Sequence, residues 1–434
     1  MIYIHVPFCR SFCTYCDFYS EIVGKTAGCA AVGAGKTACA AGLSDEVFER
    51  YTDDLCAEIR ARQDEILAAS GVRTLYIGGG TPSVLPLDCL RKIVEKLREV
   101  EGAALADGAD GPAGADRDWE EFTVEVNPED IVERGPSYVE GLLELGVNRI
   151  SMGVQSLDPG MLRWMNRRHS ADGARKAWSI ISDATGHFRN ETHNSIPLSL
   201  RPNPPQGALQ GTSHRKHPGP NADSLRPDPP QEAFIKDFTA KSAENRNADG
   251  YPKAAISIDL ISGVPGMDCA MLGRTLNEVL EWRPEHISAY QLSVEEGSAL
   301  ARMIADGRVA ELPDEECRAQ YELVCQKLGA AGYHHYEISN WALPRHEAVH
   351  NSAYWTRQPY VGLGPGAHSL EITPTRQIRK WNSRRPTGWA EEGREELSPE
   401  EIREETVMLL ARTDRGPIPE SDWFVADDLI ADLL

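Results

Sequence analysis

The chain has 434 residues, a formal net charge of −21 and ten cysteines, with a mean hydropathy of −0.40. So acidic a chain is a poor general binder of nucleic-acid phosphates, which are neutralised by Lys and Arg, and it holds no run of roughly 18 apolar residues to span a bilayer. The length fits two or three domains, and cysteines without an export signal point to a reducing cytoplasm, not a disulfide framework.

In chain order, the apolar alternation from Ile2 to Phe8 predicts a strand close to Met1. It runs into Cys9, Cys13 and Cys16, spaced C-x3-C-x2-C. A structural zinc site is closed by four ligands, often two separated pairs, and no second pair follows. Soft thiolates suit an iron–sulfur cluster, and three cysteines on a [4Fe–4S] cube leave one iron open to another ligand. Zinc and a metal-free loop are the alternatives.

Residues 22–43 are Gly/Ala-rich and read as low complexity. Ala30 to Thr37 matches a relaxed phosphate-loop pattern, but no strand precedes it, so nucleotide binding is not expected. An amphipathic helix capped by Ser44 follows, with Val47, Phe48, Tyr51, Leu55 and Ile59 on one face. Strand 74–77 leads into Gly78, Gly79, Gly80 and Thr81, and a helix surrounds Leu90 to Leu97. Residues 102–118 read as a solvated loop, 122–126 as a strand before Pro128, and 138–145 as a helix stopped by Gly146. Strand 149–154 ends at Gln155. Residues 186–252 lack apolar periodicity and are expected to be disordered, their histidines (His187, His193, His214, His217) solvated. Strand 255–260, helix 272–282 and strand 286–292 complete the series.

Six strands mostly followed by helices imply parallel βα units. The G-x-G-x-x-G fingerprint of a doubly wound nucleotide fold is absent after the first strand. The predicted fold is therefore α/β, a partial (β/α)6 barrel over 1–300, with a C-terminal α+β domain over 301–434 and insertions at 22–43, 102–118 and 186–252. The unusual residues fall where strands end: the Cys loop, the glycine turn, Glu125, Asn127, Gln155, Asp259, Tyr290 and Gln291. In βα barrels those ends face one another and build the active site.

The Cys loop, with Tyr15 just before its last Cys, resembles the radical S-adenosylmethionine (SAM) superfamily. The flanking residues Tyr3 to Phe8 and Cys16, Asp17 and Phe18 are similar to those of the oxygen-independent coproporphyrinogen III oxidase-like family, most of all its HemW-type heme-chaperone branch. The resemblance implies a [4Fe–4S] cluster on Cys9, Cys13 and Cys16. It also implies SAM on the open iron, with reductive cleavage yielding a 5′-deoxyadenosyl radical. It places Tyr3, Tyr15, Gly79, Gly80, Thr81, Glu125, Gln155, Arg167, Asp259 and Gln291 on SAM-site positions. Oxidases of this family carry a further Cys two residues after the third, where this chain has Phe18. That departure implies a cytoplasmic chaperone that binds heme and passes it to an acceptor protein, with a reductant for the cluster. Oxidative decarboxylation of coproporphyrinogen III is the alternative.

Past residue 300, Asp314 caps a helix through Leu328, and a strand is expected over 336–340. His350 precedes Tyr354 and Trp355, and read by residues alone it is a structural turn or a heme ligand. The resemblance of His350 to Trp355 and of residues 362–369 to the chaperone branch adds weight to heme. Only 18 residues follow Gly416, so the C-terminal helical region is expected to be truncated or divergent.

Overall fold

The computed structural model describes residues 1–23, 45–69, 72–106, 119–187 and 254–434. The phosphate-loop pattern, Ser44 and nearly all of the three insertions lie outside them. His187 lies inside, and differs from its expectation: its ring nitrogens stand 3.0 Å from Glu285 Oε1 and 3.2 Å from the Trp282 carbonyl oxygen.

The strands are β1 (Ile2–Val6), β2 (Phe8–Cys9), β3 (Glu21–Ile22), β4 (Thr74–Gly79), β5 (Glu121–Val126), β6 (Arg149–Gln155), β7 (Ala255–Ser262) and β8 (His286–Gln291). Beyond residue 300 come β9 (His334–Glu337), β10 (Asn340–Ala342), β11 (Val361–Leu363), β12 (His368–Ile372), β13 (Gln377–Asn382) and β14 (Glu391–Glu396). Strands β1, β4, β5, β6, β7 and β8 pair side by side in that order, all parallel. This is the six-unit α/β arrangement that the alternation predicted. Strand β11 adds to β1 in parallel, while β10 adds antiparallel to β8 and carries β9 at its outer edge. Each edge of the six-strand core is thus covered by a strand from beyond residue 300.

The crossover helices pack outside the sheet. Helix Asp45–Ala61 buries Phe48, Tyr51, Leu55 and Ile59, and the face continues into Ile4, Leu75 and Ile77 of the strands. Helices Pro128–Arg134, Pro159–Trp164 and Ala171–Thr185 are elements the apolar spacing did not single out. Two of them start at side-chain caps, Asp158 and Ser170.

Two differences lie past residue 300. The strand expected over 336–340 is the hairpin β9–β10, since Asn340 pairs back on Glu337. Residues 349–355 form a helix, Val349–Trp355. Residues after Gly416 are packed: Trp423 is 2% exposed and, with Ile418, Ala426 and Ile430, forms a small core against Ala411.

Candidate functional site

Alternate residues of the six central strands face opposite ways. Ile2, Ile4 and Val6 of β1 enter the core beneath the helices, while Tyr3 and His5 line a cavity inside the sheet. The same holds for Tyr76, Thr123 and Glu125, Ser151 and Gly153, Ser257 and Asp259, and Ser288 and Tyr290. The cavity is about 820 Å³ and is walled by polar residues along the strands as well as at their C-terminal ends.

Cys9, Cys13 and Cys16 occupy its mouth, each partly exposed. Their loop is held by neighbours: the Thr14 amide donates to the Met165 carbonyl at 3.2 Å and the Thr14 hydroxyl to the Trp164 carbonyl at 2.8 Å. Asn166 Nδ2 donates to the Phe12 carbonyl at 2.6 Å. Cys9 Sγ lies 3.5 Å from Thr81 Oγ1. Arg167 Nη1 donates to Cys13 Sγ at 3.4 Å, and its other arm donates to Asn127 Oδ1 at 2.6 Å and the Gly153 carbonyl at 2.8 Å. Arg167 is therefore a half-buried brace between the Cys loop and two strand ends. Among the described residues no three His, Cys, Asp or Glu ligands converge tightly enough for one metal ion, whereas thiolates on a cube each bind a separate iron.

Beside this loop the chain turns through glycines. Gly79 has φ +109°, and a Cβ there would stand 2.5 Å from His5 Nδ1. A Cβ on Gly80 would stand 2.7 Å from the Phe8 carbonyl oxygen. Any side chain at either position would collide with the cavity wall. Gln155, at the end of β6, has φ +65° and its buried Oε1 finds no hydrogen-bond partner among the described residues. Strain and an unsatisfied acceptor at one residue of a cavity wall mark a functional position.

Two carboxyls sit deeper. Glu125 accepts from the Tyr76 hydroxyl at 2.6 Å and from the Gly79 amide at 3.1 Å. Burial raises its pKa to about 7, with the Asp259 charge adding to the rise against those hydrogen bonds. Asp259 accepts from the Ser151 hydroxyl at 3.0 Å, and burial raises its pKa to about 6. Tyr3 and His5 form a chain on the adjoining strand β1: Tyr3 Oη is 3.1 Å from His5 Nδ1, and His5 Nε2 is 2.9 Å from the Tyr19 carbonyl oxygen. Burial pushes the Tyr3 and Tyr15 hydroxyls up, away from ionisation.

All the residues expected at a SAM site line this one cavity: Tyr3, Tyr15, Gly79, Gly80, Thr81, Glu125, Gln155, Arg167, Asp259 and Gln291. His350 does not. It is 1% exposed, its Nδ1 lies 2.8 Å from Thr74 Oγ1 and its Nε2 3.3 Å from Tyr354 Oη. Burial lowers its pKa to about 3. Both nitrogens of His350, read by sequence as a structural turn or a heme ligand, are thus engaged in the interior and away from the cavity. The residue reading missed His5, Tyr76, Ser151, Ser257 and Ser288. Their signal was a polar residue at every second position of otherwise apolar strands.

The sequence profile of the radical SAM superfamily matches residues 3–194. A match to that profile implies SAM and a [4Fe–4S] cluster. The chain is 28% identical over 425 residues to "Heme chaperone HemW" of Mycobacterium tuberculosis, covering 96% of this chain and 82% of that one. It is 27% identical over 379 residues to "Heme chaperone HemW" of Bacillus subtilis, covering 87% and 72%. The solved coproporphyrinogen III oxidase HemN of Escherichia coli shares the fold, with a TM-score of 0.60 at 19% identity over 100% of this chain and 81% of that one. Among the described residues no helix is long and apolar enough to cross a membrane.

Proposed function

We propose that this radical SAM protein is a cytoplasmic heme chaperone, which binds heme as cargo and delivers it to an acceptor protein. The observation that carries the reading is that the Cys loop and the six strand ends open on one cavity of about 820 Å³. Similarity over most of the chain to proteins named heme chaperones supports it. So does Phe18, 68% exposed beside Cys16 where the oxidase pattern has a cysteine.

In this reading Cys9, Cys13 and Cys16 hold the cluster, and an external reductant supplies its electron. When bound, the cluster and SAM supply one-electron chemistry at the cavity mouth. Arg167 fixes Cys13 and offsets the negative charge of the thiolates. Gly79 and Gly80 let the chain pass close to His5 and Phe8, which sets Thr81 beside Cys9 in the ligand cavity. Glu125 and Asp259 offer lone pairs to an ammonium or to ribose hydroxyls, and Gln155 Oε1 supplies a further acceptor. Tyr3, Tyr15 and Gln291 wall the ligand. Residues 1–300 supply the barrel and 301–434 the elements that close it.

The test is anaerobic reconstitution followed by titration with hemin and transfer to apomyoglobin. The expected result is bound heme that moves to the acceptor, and loss of iron and sulfide in Cys9→Ala, Cys13→Ala or Cys16→Ala. Conversion of coproporphyrinogen III to protoporphyrinogen with CO2 release, given SAM and reductant, would sink the chaperone reading. Full iron content in any Cys variant would sink the ligand assignment.

A further inference from the structure

Among the described residues three histidines line the cavity: His5, His286 and His368. Both nitrogens of His5 are engaged, by Tyr3 and by the Tyr19 carbonyl. Both of His286 are engaged too, 2.8 Å from Ser257 Oγ and 2.8 Å from Tyr336 Oη. His368 differs. It is exposed at the start of β12, and no side-chain hydrogen bond among the described residues occupies its ring. Its back is supported, since it pairs in register with Trp381 of β13 and stacks on that indole at 6.1 Å and 25°. One face of the imidazole is packed and the ring still lines the cavity.

Arg384 lines the same wall. The 366–368 segment and the end of β13 are hydrogen-bonded across, Gly366 N to the Ser383 carbonyl at 3.2 Å and Asn382 N to the Ala367 carbonyl at 3.0 Å. A Cβ on Gly366 would stand 3.4 Å from Arg384 Cγ and 3.6 Å from Tyr19 Cδ1. This wall therefore packs directly on the residue that follows Phe18 in the cluster loop. Arg384 is exposed and forms no ion pair among the described residues. The apolar surfaces at this mouth are Phe18, 68% exposed, and Tyr290, 43% exposed.

A neutral imidazole on a rigid support, an unpaired guanidinium beside it and exposed aromatic rings are what an iron porphyrin needs: an axial nitrogen, a propionate partner and apolar surface. We propose that His368 is the axial ligand of the heme iron and that Arg384 binds a heme propionate. The proposal rests on the chaperone reading above. Burial and the nearby Arg379 and Arg384 charges lower the His368 pKa, which favours the neutral ring that metals bind.

The test is hemin titration of the intact wild type and of His368→Ala, His350→Ala and Arg384→Ala, each first shown folded by circular dichroism. His368→Ala is expected to weaken hemin binding by about tenfold or more and to shift the Soret band, and added imidazole restores the wild-type spectrum. His350→Ala is expected to keep the wild-type spectrum. Arg384→Ala is expected to weaken hemin binding but not binding of hemin dimethyl ester. An unchanged affinity and Soret band in His368→Ala overturns the ligand assignment while leaving the chaperone reading intact. Absence of hemin binding by the wild type overturns the chaperone reading itself.

Discussion

Glu125 and Asp259 are the residues whose chemistry is most unlike that in water. Each is desolvated in a wall lined by hydroxyls, and the Asp259 charge adds to the cost of ionising Glu125. The folded pKa of Glu125, about 7 against an ordinary value of 4.5, means that the native state holds a proton the unfolded chain releases. Its stabilising contribution is full below the unfolded value and is lost as pH rises through about 7. The loss is on the order of 3 kcal/mol for a shift of this size. Glu125→Gln is therefore expected to remove part of the decline in stability between pH 5 and pH 8, as read by urea denaturation of the apoprotein. An unchanged slope would refute the shift. A cationic ligand beside the pair favours the ionised form, so SAM affinity is expected to rise from pH 6 to 8 with release of protons. Calorimetry in two buffers of different ionisation heat measures that release. The cysteines and Glu125 were legible by residue type and spacing. The state of His350 was not, because a histidine beside aromatics reads the same whether its nitrogens are free or engaged.

Helix Val349–Trp355 explains what became of that histidine. It reaches the start of β5: the Val349 amide donates to Glu121 Oε2 at 2.7 Å and the His350 amide to Glu121 Oε1 at 3.2 Å. A buried carboxylate thus satisfies the open amides at the positive end of the helix. Arg149 stands 3.9 Å from the same carboxylate, and both side chains are 6% exposed. Val349 and Ala353 then pack with Met1 and Val72. The helix plugs the end of the sheet opposite the Cys loop, and His350 pins it to Thr74 at the start of β4. Glu121→Ala is expected to cost about 3–5 kcal/mol, since it frees two buried amides and removes the carboxylate beside the Arg149 guanidinium. Glu121→Gln keeps acceptors and should cost less. Equal losses in the two variants, measured by urea denaturation, would argue against the capping role. Periodicity announced the long outer helices, but a seven-residue plug has too few turns to show an apolar stripe.

For the molecule as a whole, the segments beyond residue 300 are part of the same nine-stranded sheet. Strand β11 covers β1 and β10 covers β8, so the parallel core presents no bare edge at either side. A chain ended at Gly332 would leave both edges open, the Met1, Val72 cluster uncovered and the cavity without Tyr354 and His368. Open edges template association between chains. Such a fragment is expected to aggregate, and a monodisperse, hemin-binding fragment in size-exclusion chromatography would disprove the dependence.

The sequence by itself determined the six βα units, because crossover helices and apolar strands carry distinct periods. It determined the Cys loop and the family resemblance, because thiols at fixed spacing state their chemistry locally. Only the tertiary structure decided which polar residues share a cavity and which histidines keep a free nitrogen. Those are properties of distance between segments far apart in the chain. Thr74 meets His350, Thr81 meets Cys9, and Arg384 comes beside Tyr19 only once the sheet has formed.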